Sequence, residues 1–179
     1  GLEGGIYLLN SGLAKGDIER SQKGMEMINR NTSRVSTFVK EFLSFSKGHK
    51  IKTTLCNPSA MAQEVLETFS VEVNKLGIQL VNEFDKTIAP ARFDSESIIE
   101  CLSNLFGNAI DACRISENKA DIQIRFSVFE KDNCIYFRIR DNGCGMDYEI
   151  KKKIFTTFFT TKGLGGTGLG LLMTKKIVQ

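Results

Sequence analysis

Apolar residues along this chain change their period twice, and each change marks a different kind of element. From residue 17 to 48 there is neither proline nor a glycine pair, and Met25, Ile28, Thr32, Val35, Val39, Phe42 and Ser46 recur at alternating spacings of three and four. That is a heptad seam, widened by Phe38 and Phe45, with Arg20, Lys23, Arg30, Arg34 and Lys40 on the opposite face, so a long helix packed on partner helices is expected. Ahead of it, Ile6, Leu8, Leu9 and Leu13 form a shorter apolar stretch. Gly16 suits a helix stop and Asp17 a helix start, which predicts a helical hairpin. Gly4 and Gly5 weaken the first helix and mark an expected fraying end. Neither helix can bury its stripe alone, so the expected assembly is a homodimer through a four-helix bundle.

Past Gly48 the pattern turns to mixed helix and strand. Residues 51–56 read as a short strand, Pro58 as the first turn of a helix to about Lys75, and 78–84 as an alternating strand. Asp94 is a good N-cap for a helix to about Arg114. Two runs of period two follow, 121–129 with Ile122, Ile124, Phe126 and Val128 on one face, and 134–140 with Ile135, Phe137 and Ile139. Joined by Lys131-Asp132-Asn133 they predict an antiparallel hairpin. A Gly-rich stretch then leads into a helix from Thr167 onward. The expected fold class is α+β, a two-layer α/β sandwich with a mixed sheet and helices on one face, preceded by the helical hairpin. The boundary falls between 1–48 and 49–179.

Composition narrows the function classes. The 179 residues suffice for one domain of ordinary size plus an appended element. The formal charge of +3 is too small an excess to argue for nucleic acid, and the Lys151-Lys152-Lys153 run reads as a solvated helix face. The longest apolar runs fall short of the roughly 18 residues of a membrane span, and no basic-then-apolar leader opens the chain. Five cysteines, Cys56, Cys101, Cys113, Cys134 and Cys144, form no CxxC pair. They read as thiols of a reducing compartment, with Cys101, Cys113 and Cys134 filling core. The expected location is cytoplasmic, within a protein free to carry a membrane anchor elsewhere.

Four motifs carry candidate chemistry. In SNLFGNAIDAC, Asn104, Asn108 and Asp111 are spaced by four and three, which puts three polar groups on one helical face among apolar neighbours. Taken alone, buried amides satisfied by nearby backbone explain this equally well. In RDNGCGM at 140–146, Gly143 and Gly145 permit positive φ and close backbone approach, and Asp141 stands at a strand end; plain turn chemistry is the rival reading. In IFTTFFTTKG at 154–163, Phe155, Phe158 and Phe159 are expected to pack on something, the core by default or else the docking surface of a mobile lid. In GLGGTGLGL at 163–171, Gly163, Gly165, Gly166, Gly168 and Gly170 lead into a helix, an arrangement of free N–H groups that cradles phosphate. No Gly-Lys-Ser/Thr ends it and no dinucleotide-type βαβ unit surrounds it.

The order of these motifs, with the hairpin before them, resembles the N, G1, F and G2 boxes of sensor histidine kinases, a branch of the superfamily that also holds gyrase, mismatch-repair and chaperone ATPases. The resemblance implies ATP and Mg²⁺ as ligands. It implies that Asn108 ligates Mg²⁺ and that Asn104 sits one turn earlier in the same site. Where the ATPase branches place a water-activating glutamate, Asn104 cannot take a proton, which favours transfer over hydrolysis. Asp141 would accept from the adenine amine, and Gly143, Gly145, Met146 and Ile139 would shape the purine pocket. Gly166, Gly168 and Gly170, with Thr167 and Leu169 in the same turn, would meet the phosphates, while Thr161 and Lys162 belong to a lid over 155–166. Asp111 departs from the lysine or arginine common there, which implies a water-mediated Mg²⁺ contact instead. Thr157 departs from a common proline.

The implied reaction passes the γ-phosphoryl group to a histidine on the first hairpin helix and onward to a response regulator receiver domain. The sole histidine, His49, lies beyond the long helix and reads as a linker residue, so no catalytic residue is assigned and the acceptor is expected before Gly1. Family members also continue past LLMTKKIVQ into further strands, so the domain is expected to be C-terminally incomplete. The rivals are an ATP-hydrolysing conformational clamp of the same superfamily, a serine/threonine-directed anti-sigma kinase, and a non-catalytic nucleotide-binding scaffold.

Overall fold

The computed structural model describes residues 1–46, 51–117, 120–163 and 166–179. His49, Gly165 and the side chains of Phe45 and Ser46 lie outside the described residues. The chain divides into two compact units, residues 1–49 with 161–167, and residues 50–160 with 168–179. No helix among the described residues is long and apolar enough to cross a membrane.

In the first unit, helices α1 (Leu2–Lys15) and α2 (Ile18–Ser46) form the hairpin. Gly16 takes φ 67° and closes α1, and the Asp17 carboxylate accepts from Arg20 N–H at 2.9 Å to open α2. The expectation of a fraying end at Gly4 and Gly5 is overturned. Gly5 is buried against α2, where a Cβ would stand 2.9 Å from Ile28 Cγ1 and 3.1 Å from the Gly24 carbonyl oxygen. A Cβ on Gly24 would lie 2.8 Å from Leu9 Cα, and one on Gly12 2.7 Å from Ser21 N. Helix propensity is given up here so that two backbones can touch. Met25, Val35, Val39 and Phe42 of the seam stay exposed within this unit. Gly24→Ala is expected to force the helices apart at a cost of about 1–3 kcal/mol. Faster amide exchange along α1 would report it, and unchanged protection would contradict the close-packing account.

The second unit is a layered α+β structure. Strand β1 (Thr54–Cys56) pairs antiparallel with β3 (Ala91–Phe93). Strands β2 (Gln79–Phe84), β4 (Gln123–Lys131) and β5 (Cys134–Asp141) form a mixed sheet in the order β2-β4-β5. Helices α3 (Pro58–Lys75) and α4 (Ser95–Ile115) carry most of the buried helical residues of the core. Side-chain caps start both, Asn57 accepting from Ala60 N–H at 3.1 Å and Asp94 from Ser97 N–H at 3.2 Å. The predicted 51–56 strand is shorter than expected because its partner β3 offers only three residues. Lys52 N–H goes instead to the Asp94 carboxylate at 2.9 Å.

Strands β2 and β4 are parallel, from Gln79 opposite Gln123 to Phe84 opposite Val128, and α4 lies in the crossover between them. Strands β4 and β5 are antiparallel, joined through Asp132 at φ 51° and Asn133 at φ 59°, the left-handed pair of a two-residue hairpin. Ile124, Phe126 and Val128 of β4 are fully buried. An aromatic line runs through this core: Phe69 to Phe106 at 5.4 Å, Phe106 to Phe126 at 5.9 Å, and Phe126 to Phe84 at 5.2 Å. Cys101 and Cys113 are buried as expected, but Cys134 is exposed, a correction explained by its place on the outward face of β5 with Tyr136 and Arg138, whereas Ile135 and Phe137 face the core.

Helix α5 (Tyr148–Lys153), which carries the Lys151-Lys152-Lys153 run expected on a solvated helix face, is opened by the Asp147 carboxylate accepting from Ile150 N–H at 2.7 Å. Its lysines are exposed, and Lys152 sits over the Tyr148 ring at 4.0 Å. The final helix, α6 (Gly170–Val178), begins three residues later than Thr167, because Gly168 at φ 69° cannot continue into a right-handed helix.

Candidate functional site

Helix α4 is the platform of the site. Its core face carries Leu102, Phe106, Ala109, Ile110 and Cys113, all buried. Asn104, Asn108 and Asp111 lie on the other side of the helix and are half-buried. Arg114 forms an ion pair with Glu72 of α3 and approaches the Asp111 carboxylate at 3.4 Å. This bridge ties the C-terminal turn of α4 to α3.

The turn after β5 docks on the end of α4. Pairing Asp141 with Ile124 puts it on the same sheet face as that core residue, toward the helices. Asp141 Oδ1 accepts from Gly143 N–H at 3.0 Å, and Cys144 N–H donates to the Ala112 carbonyl at 3.1 Å. The two glycines have different tasks. Gly145 supplies a positive φ of 67° in open space. Gly143 supplies close approach, since a Cβ there would lie 2.6 Å from the Ala112 oxygen and 2.7 Å from Cys113 N. Met146 is exposed beside them.

The start of α6 meets the same platform farther along. A Cβ on Gly170 would stand 3.3 Å from Asn104 Oδ1, and Cys101 of α4 directs its thiol to the Thr174 carbonyl at 3.9 Å. No side chain caps α6. Leu169 is fully buried, so its side chain packs and only its backbone can face a ligand. Gly168 lies against Phe158, where a Cβ would fall 2.7 Å from Phe158 Cα. Phe158 itself takes φ 61°, an uncommon conformation for a bulky residue. The default expectation that the paired phenylalanines are core residues is corrected: Phe155 and Phe158 are exposed and Phe159 is half-buried.

Asn104, Asn108, Asp111, Asp141, Gly143, Gly145, Met146, Gly168, Leu169 and Gly170 thus share one unit. Thr161, Lys162, Gly166 and Thr167 fall in the other. Sequence reasoning passed over Asn142, whose side chain is bonded on both its amide atoms, and over the Arg114 bridge. An asparagine between an aspartate and a glycine looks like turn filler, and nothing in the spacing hints at partners about twenty residues away.

The cysteines provide a check on this geometry. Burial pushes the Cys101 thiol up to about 11, against a smaller opposing effect of its hydrogen bond to Thr174. Near pH 8, alkylation followed by mass spectrometry is expected to modify the exposed Cys134 and Cys144 and to spare Cys101 and Cys113. Rapid labelling of Cys101 would contradict the packing of α4 on α6.

Comparison with known proteins agrees with this layout. A family model described as histidine kinase-, DNA gyrase B-, and HSP90-like ATPase matches residues 93–179, which contain α4, the turn after β5 and the start of α6. The solved catalytic domain of the histidine kinase ThkA is 30% identical, with a TM-score of 0.62 over 71% of this chain and 81% of that one. The chain belongs to the histidine-kinase family. ThkA solved in complex with the response regulator protein TrrA matches at 26% identity and a TM-score of 0.75, over 99% of this chain and 51% of that one. The sensor histidine kinase FlgS of Helicobacter pylori is 30% identical over 98% of this chain. This histidine-kinase chain spans 45% of the length of FlgS.

Proposed function

We propose that the second unit binds Mg²⁺ and ATP between α4 and the two glycine turns and passes the γ-phosphoryl group to a histidine, for relay to a response regulator aspartate. The observation that carries this reading is the convergence on one helix: Ala112 of α4 holds the turn of Asp141, Gly143 and Gly145, and Asn104 of α4 meets the turn of Gly168 and Gly170. Base and phosphates of one nucleotide are recognised by these two turns. Asp141 accepts from the adenine amine, with Gly143, Gly145 and Met146 around the ring. The N–H groups at the uncapped start of α6 receive phosphate oxygens.

The residues present suit a hard cation. Among the described residues no group of three or more His, Cys, Asp or Glu lies together. By resemblance to the family, Asn108 would ligate the ion through its amide oxygen, a hard donor, alongside the phosphates, with Asn104 next to it and Asp111 acting through water. Bound there, Mg²⁺ neutralises charge on the triphosphate. Asn104 lacks the proton affinity to activate water, so the site retains its phosphoryl group for transfer.

Residues 1–48 form the dimerisation hairpin on this reading and 49–179 the catalytic domain. The exposed seam of Met25, Val35, Val39 and Phe42 is what a second copy would cover. ThkA has been solved with a response regulator, which supports a receiver domain as partner here. The test is incubation of the full-length protein with γ-labelled ATP and Mg²⁺. Acid-labile, alkali-stable label on a histidine is expected, whereas multiple-turnover hydrolysis without a labelled histidine would favour the conformational clamp.

A further inference from the structure

We propose that Asn142 sets the preference for adenine over other purines by fixing the position of Asp141, an inference that rests on the nucleotide reading of the site. The β4–β5 ladder ends where Asp141 pairs with Ile124, and Asn142 is the first residue beyond it. A strand end is ordinarily free to fray. Here Asn142 Nδ2 donates to the Asp121 carbonyl at 2.6 Å, its Oδ1 accepts from Gln123 N–H at 2.8 Å, and its own N–H donates to the Gln123 carbonyl at 3.3 Å. One side chain therefore stitches the end of β5 to the segment that enters β4.

On the other side of Asp141, Gly143 N–H holds Oδ1 at 3.0 Å and Cys144 N–H is anchored to Ala112 at 3.1 Å. Asp141 is thus clamped between a fixed Asn142 and a turn fixed on α4. The stitch needs a donor and an acceptor on one short planar group, which an amide provides. A carboxylate of the same size lacks the donor, and alanine lacks both. Asn142 does not itself contact the base on this account. It is a positioning residue, and its effect is confined to whatever Asp141 recognises. A carboxylate displaced by even part of a hydrogen-bond length loses most of its discrimination, because such bonds weaken steeply with misalignment.

The experiment compares affinities of the full-length protein for ATP and for inosine triphosphate, which has a carbonyl oxygen in place of the adenine amine. Wild type is expected to prefer ATP. Asn142→Ala should weaken ATP binding about tenfold and inosine triphosphate binding little, so that the ratio collapses toward that of Asp141→Ala. Asn142→Asp keeps the acceptor for Gln123 N–H and loses the donor, and should give an intermediate ratio; it decides the matter if the alanine variant does not fold. Adding Asn142→Ala to Asp141→Ala should leave the ratio where Asp141→Ala puts it. Equal losses for both nucleotides, or a wild-type ratio in both Asn142 variants, would reduce Asn142 to a strand-end fastener and overturn the inference. A wild-type ratio in Asp141→Ala would instead remove the adenine role of Asp141, and this inference with it.

Discussion

Asp141→Ala is expected to weaken binding of a non-hydrolysable ATP analogue by roughly ten- to a hundredfold while leaving the protein folded. A hydrogen bond to a charged acceptor contributes about 1.5–3 kcal/mol, which corresponds to that range. The substitution also removes the acceptor that organises Gly143 N–H, so the loss includes some disorder of the turn. Global stability should change little, because Asp141 is exposed and the turn keeps the Cys144 to Ala112 and Asn142 to Gln123 bonds. Calorimetric titration beside a thermal melt separates the two effects. Unchanged affinity would remove the base-recognition role.

Gly143→Ala should be the more damaging change although it adds a single methyl group. The new Cβ would fall 2.6 Å from the Ala112 oxygen and 2.7 Å from Cys113 N, both backbone atoms of a helix packed against the sheet. A flexible side chain could swing aside, but α4 cannot, because Ala109, Ile110 and Cys113 are buried in the core. The turn must therefore lift, which breaks the Cys144 N–H to Ala112 bond and moves Asp141 with it. A destabilisation of about 3 kcal/mol is expected, with nucleotide binding reduced more than a hundredfold. Gly145→Ala is the control: its Cβ would meet open space, so only the positive φ of 67° opposes it, at about 1 kcal/mol or a little more. Similar losses in both variants would show that backbone conformation, not close approach, governs the turn.

Much of this architecture was legible because the signals were local. Asp94 announces its helix as an N-cap and Pro58 announces another by its place in the first turn, the period-two run around Ile124 and Phe126 marks the buried face of β4, and Asp132-Asn133 marks the hairpin. The four motifs were readable for a similar reason, since each is a contiguous string whose order carries the meaning. What escaped were features set by distant partners. Strand β3 exists because Thr54–Cys56 lies beside it, and β1 is short because β3 is. Gly5 and Gly24 look like helix breakers until the facing backbone is known, at which point they become contact points. Asn142 acts through Asp121 and Gln123, and no pattern of period or composition encodes such a pair.

On the proposed function, α4 holds the metal and phosphate end of a nucleotide whose base lies at the turn after β5. The most direct measurement is titration of the full-length protein with a non-hydrolysable ATP analogue, with and without Mg²⁺, for wild type and Asn108→Ala. One nucleotide per chain is predicted, bound more tightly with Mg²⁺ in the wild type and with that Mg²⁺ dependence abolished in Asn108→Ala. The same Mg²⁺ dependence in both proteins, or no nucleotide bound by either, would contradict it.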